Sequence, residues 1–510
     1  MRHLLILTLL LLSSCNGDVL APSSAPPPAP GGGAKKLTVI VAVVDSLMPQ
    51  DLTSATPNLN GLKTGGTFYA ESRSVFSAET IPNHVAMMTG VYPRRNGIAA
   101  NNFIDSGVNP PVERNLSLPE ELTANTLFTW IRRKCVSSGI NPEIKTGATL
   151  SKKYLFEVFA GDAADPARAN RNPSVDNVPP DSYWDPRSSP AYIGSPDEHT
   201  PDLPTMQQAL AQLPGVDFLF ISLGDVDRAA HAFVQAGRNA ALPVTDAQVG
   251  RLISALQSAG RWENTVLFLV SDHGMDFTSP PSFINVQPAL TSLGACFKPM
   301  TAVDVGGTNS IFVTDPTATP AEKQAAARAA RACLMGTTAC ATLCAGASRP
   351  VNADKIGFAW YTQDDPADPD GTMPESIASK HPNLGNLVLT AMPGFRFSEP
   401  SSSSNPILGT HGHLVTLRNT FIVAGGSPWV KKGQVIASSV SGPSPFDRLP
   451  EQSENVDLAP TIAWLLGLNI QSSDFPDGRG SFDGRLLKEA FTQFDANPDA
   501  GSPTQCGRFD

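Results

Sequence analysis

The chain has 510 residues, of which 41% are hydrophobic and 16% charged; that is ample material for a large core and excludes a mostly disordered chain. Its length allows about three domain-sized units. A formal charge of −10 argues against a dedicated nucleic-acid binder, which is normally basic, but not against a small anionic substrate, because a bound cation reverses the local field.

The N-terminus reads Met1-Arg2-His3 followed by an apolar run from Leu4 to Leu12, broken only by Thr8. A basic start and a short apolar stretch describe a secretory signal; a membrane span needs about 20 residues. The run ends Leu12-Ser13-Ser14-Cys15, which resembles the lipobox of bacterial lipoproteins. Residues 1–14 are then a signal peptide and Cys15 the lipidated residue. A plain signal peptide with an incidental cysteine is the alternative. Residues 15–36 include the Pro/Gly/Ser run from Ala21 to Ala34, a tether suited to a membrane-anchored domain. The expected location is outside the cytoplasm, on the periplasmic or cell-surface side. Six further cysteines, Cys135, Cys296, Cys333, Cys340, Cys344 and Cys506, allow up to three disulfides in an exported protein, with the connectivity open.

Three continuous apolar runs predict buried parallel strands: Leu37–Val44, Asp217–Leu223 and Thr265–Val270. Helical patterns over Thr205–Leu213 and Asp246–Ala259 precede the second and third. This alternation predicts an α/β fold with a mostly parallel central sheet flanked by helices, in which ligands bind beyond the carboxyl ends of the strands. All three runs end in chemistry. Asp45 follows the first, Asp225 and Asp227 the second, Asp272 and His273 the third. Asp227 and His231 are four residues apart, on one face of a helical turn. His411 sits between glycines that permit close backbone approach. Imidazole and carboxylate together suit zinc or a similar divalent ion. Asp225 competes with Asp227, but only Asp227 has the four-residue spacing to His231. His84, His199, His381 and His413 read as surface or supporting residues.

Ser77-Ala78-Glu79-Thr80-Ile81-Pro82-Asn83-His84 predicts a helix start, with Thr80 at the cap and Pro82 in the first turn. A hydroxyl there faces the positive end of the helix dipole, a natural seat for phosphate. It needs a base or a metal to become a nucleophile, and no G-x-S-x-G element is present to supply a triad. A mere capping role for Thr80 is the alternative.

Taken together, Val44-Asp45, Thr56-Pro57-Asn58-Leu59, Thr80-Ile81-Pro82-Asn83-His84, Thr89-Gly90-Val91-Tyr92-Pro93, Asp227-x-x-x-His231, Ser271-Asp272-His273-Gly274-Met275 and His411-Gly412 resemble the alkaline phosphatase superfamily, in its type I phosphodiesterase/nucleotide pyrophosphatase branch. The resemblance implies two zinc ions, one held by Asp227, His231 and His411, the other by Asp45, Asp272, His273 and the Thr80 oxygen. It implies that Thr80 forms a covalent phosphothreonine, which is then hydrolysed. Asn101 lies where the family places an amide donor to a phosphoryl oxygen, with Asn102 as the alternative. Asn455–Leu468 resembles the closing helix of the superfamily. His231 is followed by Ala232-Phe233 rather than the family's frequent Gly-Pro, which leaves nucleotide preference open.

The segment Leu150-Ser151-Lys152-Lys153-Tyr154-Leu155 resembles the place where relatives acting on phosphomonoesters or phosphonoacetate put a substrate-binding lysine, although Tyr154 stands where those relatives have a second basic residue. Lys152 is accordingly a candidate substrate ligand, and a solvated basic pair is the alternative. The acidic run Asp364–Gly371 fails calcium-loop spacing and reads as a solvated loop. Sulfatase, Walker and dinucleotide-binding elements are absent from the sequence.

The expected organisation is a catalytic domain over 37–485 with inserts at about 160–204 and 278–408, the second long enough to cap the site, and a tail over 486–510. The expected function is hydrolysis of phosphodiester or nucleotide pyrophosphate bonds in a small substrate. The alternatives are a phosphomonoesterase or phosphonate hydrolase, or a non-catalytic or transferase lipoprotein of the same fold.

Overall fold

Every residue from Val39 to Val44 is fully buried, and successive side chains enter different cores. Val39, Val41 and Val43 pack on one face of the sheet, and Ile40, Ala42 and Val44 on the other. A strand covered on both faces reads as an unbroken apolar run, which is why this segment was visible in the sequence. The computed structural model describes residues 35–510 except 109, 137–143, 161–177, 196, 279–281, 398–407, 439–447, 450 and 510. The expected signal peptide, Cys15 and nearly all of the tether lie outside the described residues.

In chain order the elements that matter are β1 (Thr38–Val44), β2 (Thr67–Tyr69), α1 (Thr80–Thr89), β3 (Thr146–Leu150), β4 (Ser182–Trp184), α2 (Asp202–Gln212), β5 (Phe218–Leu223), α3 (Asp225–Ser258) and β6 (Thr265–Val270). The excursion after β6 contains β7 (Met300–Val305), β8 (Thr308–Val313), α4 (Pro320–Leu334), β9 (Ile356–Tyr361) and β10 (Leu387–Ala391). The chain then returns through β11 (Phe421–Ala424), β12 (Gln434–Ile436) and α5 (Leu458–Leu465).

The main sheet has eight strands in the order β12-β2-β11-β6-β1-β5-β3-β4. Only β11 runs against its neighbours, so the sheet is mixed but mostly parallel. The first expected insert is not wholly outside it, since β4 adds an edge strand beside β3. The helix expected over Asp246–Ala259 is the second half of α3, a 34-residue element broken at Phe233 and Val234, where Val234 has φ 48°.

The cap insert builds its own antiparallel sheet, in the order β7-β8-β10-β9, packed with α4 around a separate core. Two disulfides lie within it, Cys296–Cys344 and Cys333–Cys340. The third, Cys135–Cys506, brings the end of the chain back to the main body, where Lys35–Lys36 pairs with Arg508–Phe509. The run at Asp364–Gly371 is no solvated loop throughout. Asp365 is buried against Arg328 and Gln324, and Asp368 accepts from Arg331 and the Tyr361 hydroxyl. Among the described residues no helix is long and apolar enough to cross a membrane.

Candidate active site

Strands β3, β5, β1 and β6 are adjacent and run in one direction, and Leu150, Leu223, Val44 and Val270 end them almost level. Each then delivers a polar residue to the same edge: Lys152 after β3, Asp227 after β5, Asp45 after β1, and Asp272 with His273 after β6. Open α/β sheets present ligand-binding residues at this edge. His411 joins from the segment that follows the cap. Gly409 allows this approach, because a Cβ there would lie 2.3 Å from the Ala230 carbonyl oxygen and 3.0 Å from the His231 amide nitrogen.

Thr80 opens α1 on the facing side. The cap position belongs to Glu79, one residue earlier than expected, and makes no side-chain capping bond; helix ends are commonly misplaced by one residue. Thr80 Oγ1 is almost fully buried, 3.3 Å from His273 Nε2 and 3.5 Å from Lys152 Nζ. Asn101 braces the same turn. Its Oδ1 accepts from the Ile81 amide at 2.8 Å while its own amide N–H donates to Glu79 Oε2 at 2.5 Å. This fixes the carbonyl end of the side chain and leaves the NH2 group as its donor at the cavity wall. Asn102 is committed elsewhere, donating to Glu113 and accepting from Asn115 across the hairpin.

Three histidines are oriented alike. His231, His273 and His411 each place Nδ1 on a backbone carbonyl, those of Gly409, Gly274 and Ala78, at 2.8, 3.0 and 3.0 Å. A carbonyl accepts only, so Nδ1 carries the proton and Nε2 keeps a lone pair for a cation, the arrangement expected of metal-binding histidines. The Nε2 atoms face carboxylates: His231 to Asp227 at 3.3 Å, His411 to Asp227 at 3.9 Å, and His273 to Asp272 at 3.4 Å and Asp45 at 3.6 Å. His273 stands between the expected ligand groups. It clusters with Asp45 and Asp272, and also with Asp227 and His411, and its ring stacks on His411 at 3.8 Å.

The basic pair divides. Lys153 points to Glu157 and Glu198, whereas Lys152 is buried with Nζ 2.6 Å from Asp45 and 2.9 Å from Asp227. Burial works against the charged form of Lys152, but Asp227 and Asp45 outweigh it and hold the ammonium well above its ordinary pKa. Burial, then the neighbouring carboxylates Asp227 and Asp272, push Asp45 well up, and burial lifts Asp272 to about 7. Burial would raise Asp227 too, yet Lys152 and then His231 take it well below the usual carboxylate range.

Three converging buried carboxylates thus face a single ammonium. Among the described residues Asp45 Oδ1 and Asp272 Oδ2 have no hydrogen-bond donor, and Asp45 Oδ2 meets the Lys152 ammonium at 2.6 Å. Buried oxygens without donors, beside imidazoles presenting lone pairs, are a donor set that suits divalent cations.

Ser46 and Arg238 support the cluster and left no sequence signal. Ser46, with φ 64°, donates through its hydroxyl to Asp227 Oδ1 and through its amide to Asp272 Oδ1. The fully buried Arg238 donates to the Ser46 carbonyl at 2.7 Å and pairs with Asp51. Asn455 Nδ2 donates to the Asp272 carbonyl and to Asn83 Oδ1, both at 2.9 Å. His84 sits behind Thr80 with Nδ1 on the Thr80 carbonyl, and His413 contacts Asp276 at 3.0 Å. Asp225 faces away from Asp227, toward His199. The cluster opens into a cavity of about 660 Å³, whose wall includes Thr80, Asn101, Lys152, Tyr154 and the cap residue Arg396.

The solved structures similar to this chain share its fold. Human ectonucleotide pyrophosphatase/phosphodiesterase 5 aligns with a TM-score of 0.60 and 16% identity over 89% of this chain and 100% of that one. An inactive threonine-to-alanine variant of the murine protein, in complex with AMP, aligns at 0.59 and 15% over 90% and 100%. In sequence, mouse ectonucleotide pyrophosphatase/phosphodiesterase family member 1 is 26% identical over 245 residues, 46% of this chain and 23% of that protein. Venom phosphodiesterase 2 of Crotalus adamanteus is 26% identical over 225 residues, 44% and 24% of the two chains. The matched stretch spans about a quarter of these curated relatives. The sequence profile of one family covers residues 39–414, from the first buried strand past His411, and by that match the chain belongs to the type I phosphodiesterase/nucleotide pyrophosphatase family.

Proposed function

We propose that the chain is an exported phosphoesterase that hydrolyses phosphodiester or nucleotide pyrophosphate bonds, with Thr80 as nucleophile and two zinc ions as cofactors. Asp227, His231 and His411 would hold one ion; Asp45, Asp272, His273 and the Thr80 oxygen would hold the other. The observation that carries this reading is the position of Thr80 Oγ1, at a helix start and 3.3 Å from His273 Nε2, within a ring of buried carboxylates. Bound divalent ions would lower the pKa of the attacking hydroxyl and offset charge on the reacting phosphoryl group.

The residues of the chain supply the rest. Thr80 Oγ1 forms a bond to phosphorus as the bond to the leaving oxygen breaks, and water later cleaves the Thr80–phosphorus ester. The Asn101 NH2 group donates to a non-bridging oxygen, and the Glu79–Asn101–Ile81 bonds keep that donor and the nucleophile in one frame. The cavity volume of about 660 Å³ is in the range that accommodates a nucleotide-sized ligand. Relatives named as nucleotide pyrophosphatases and phosphodiesterases, and a neighbour holding AMP, support the substrate class.

A second reading, as a phosphomonoesterase or phosphonate hydrolase, is favoured by one observation. Lys152 Nζ lies 3.5 Å from Thr80 Oγ1, where an ammonium would favour a dianionic monoester over a monoanionic diester. Hydrolysis of bis(p-nitrophenyl) phosphate and p-nitrophenyl phosphate by metal-loaded enzyme, with Thr80→Ala and Lys152→Met as controls, separates the two. Diester preference with loss in Thr80→Ala supports the first reading. Monoester preference that Lys152→Met reverses supports the second. Two bound metals with neither ester cleaved would contradict both and favour a transferase or binding role.

Export is supported by relatives named as ectoenzymes and venom proteins. Anchoring at Cys15 belongs to the same reading, and Cys15→Ser is expected to move the protein from the membrane to the soluble fraction.

A further inference from the structure

Buried polar atoms without hydrogen-bond partners gather at a second place near the cavity, outside the proposed catalytic ligands. His199 is 1% exposed and Ser151 fully buried, yet neither His199 ring nitrogen nor Ser151 Oγ has a hydrogen-bond partner among the described residues. Both converge on Gly224, where a Cβ would lie 2.9 Å from His199 Nε2 and from Ser151 Oγ. A buried polar group left without a partner is destabilising and calls for an explanation.

Two carboxylates meet at this point. Asp202 opens α2 and Asp225 opens α3, and each serves the start of the other's helix. Asp202 Oδ1 accepts from the Gly224 and Asp225 amides at 2.8 and 3.1 Å, while Asp225 Oδ2 accepts from the Asp202 amide at 3.0 Å. Asp202 Oδ2 also accepts from Thr245 Oγ1. Ligating carboxylates are commonly held by such outer hydrogen bonds. Asp225 Oδ1 instead faces His199 Nε2 at 3.5 Å. That separation is long for a nitrogen–oxygen hydrogen bond, but two ligands about 2.1 Å from a tetrahedral ion lie about 3.4 Å apart. The same spacing recurs in the catalytic cluster, between His231 and Asp227 at 3.3 Å and between His273 and Asp272 at 3.4 Å. Ligand atoms of His199, Asp202 and Asp225 all lie within 4.8 Å of one another. The nearby positive groups are committed elsewhere: Arg228 to Asp197 at 2.9 Å, Lys152 to Asp45 and Asp227.

From this geometry we infer a third cation site, formed by His199, Asp202 and Asp225 with Ser151 Oγ at its edge, that takes a divalent ion of the zinc class beside the cavity wall to which His199 contributes. Its role is positional. The ion joins the starts of α2 and α3 to the segment carrying His199. The first turns of α3 carry Asp227 and His231, and the backbone of His199 pairs with that of Lys152. The site therefore fixes three residues of the proposed catalytic cluster from behind.

The test is metal content. The full chain, with His199→Ala and Asp225→Asn variants, is dialysed to equilibrium against buffered zinc and its metal measured per folded polypeptide by mass spectrometry. Each variant is expected to bind one equivalent less than the parent, three falling to two if the catalytic cluster holds a pair. The readout is the difference, so it holds its meaning if the catalytic cluster binds fewer ions than proposed. Asp272→Asn separately reports that cluster. Equal metal content in parent and both variants would overturn the third site. If His199→Ala fails to fold, Asp225→Asn and an anomalous-scattering map of zinc-loaded parent crystals decide the question: a peak bounded by His199, Asp202 and Asp225 is expected, and its absence refutes the site.

Discussion

The main sheet and the cap obtain their rigidity in different ways. In the main sheet, β1, β5 and β6 are buried along their whole length, and no disulfide lies among the strands that carry the proposed ligands. Burial on both faces fixes the strand register, and the register fixes where Asp45, Asp227 and Asp272 emerge. The cap has a smaller antiparallel sheet and a smaller core, and it is held in addition by two disulfides and by ion pairs such as Arg328–Asp365. Atomic placement is thus concentrated where chemistry is proposed, and the part that bounds the cavity is stapled covalently.

The sharpest way to separate the two regions is to remove the proposed nucleophile. Thr80→Ala is expected to lower kcat/KM by on the order of a thousandfold or more while leaving the thermal midpoint nearly unchanged. A similar loss of activity with a large fall in the midpoint would assign Thr80 to structure instead.

Chelation comes next. Stripping divalent ions is expected to abolish activity and destabilise the main domain, because like charges at the sheet edge lose their counter-ions. A ligand at about a hundred times its Kd contributes about 2.7 kcal/mol to stability, so zinc is expected to raise the midpoint measured by calorimetry. The same zinc addition is expected to leave the unfolding of the cap unchanged.

The converse experiment weakens the cap. Opening Cys296–Cys344 with a double Cys→Ser change removes a link across 48 residues, with an expected loss of up to about 4 kcal/mol on the chain-entropy estimate. Limited proteolysis is expected to cut the cap first, with KM rising and kcat little changed.

The smallest effect is expected from pH. Burial lowers the His381 pKa to about 4, from the ordinary value of about 6.5. The unfolded chain therefore takes up the proton first on acidification. The stability that His381 contributes is whole above pH 6.5 and is lost as pH falls from there to about 4. His381→Asn, measured by denaturant titration, is expected to flatten the stability profile in that window.

Much of the main sheet was legible because doubly covered parallel strands leave unbroken apolar runs, and their ends mark the binding edge. Strand β3 escaped notice, since Thr146-Gly147-Ala148-Thr149-Leu150 is small and weakly apolar; without it Lys152 could not be placed at the edge. The Asp227–His231 spacing survived as a helical turn, and the break at Phe233 and Val234 left only Gly237 as a trace, where a Cβ would lie 2.5 Å from the Ala229 carbonyl oxygen and from Phe233 Cβ. Ser46 and Arg238 were invisible for a different reason. Their roles depend on partners distant in sequence, as does disulfide connectivity, and pairwise proximity of that kind is not written in local pattern.

The most direct measurement is to trap the covalent intermediate. Metal-loaded enzyme is mixed with a phosphodiester substrate, quenched in acid within one turnover and mapped by peptide mass spectrometry. A phosphoryl adduct on the peptide containing Thr80, absent from Thr80→Ala, is the predicted result. Turnover with no adduct on Thr80 at any quench time, or an adduct on another residue, would contradict the account.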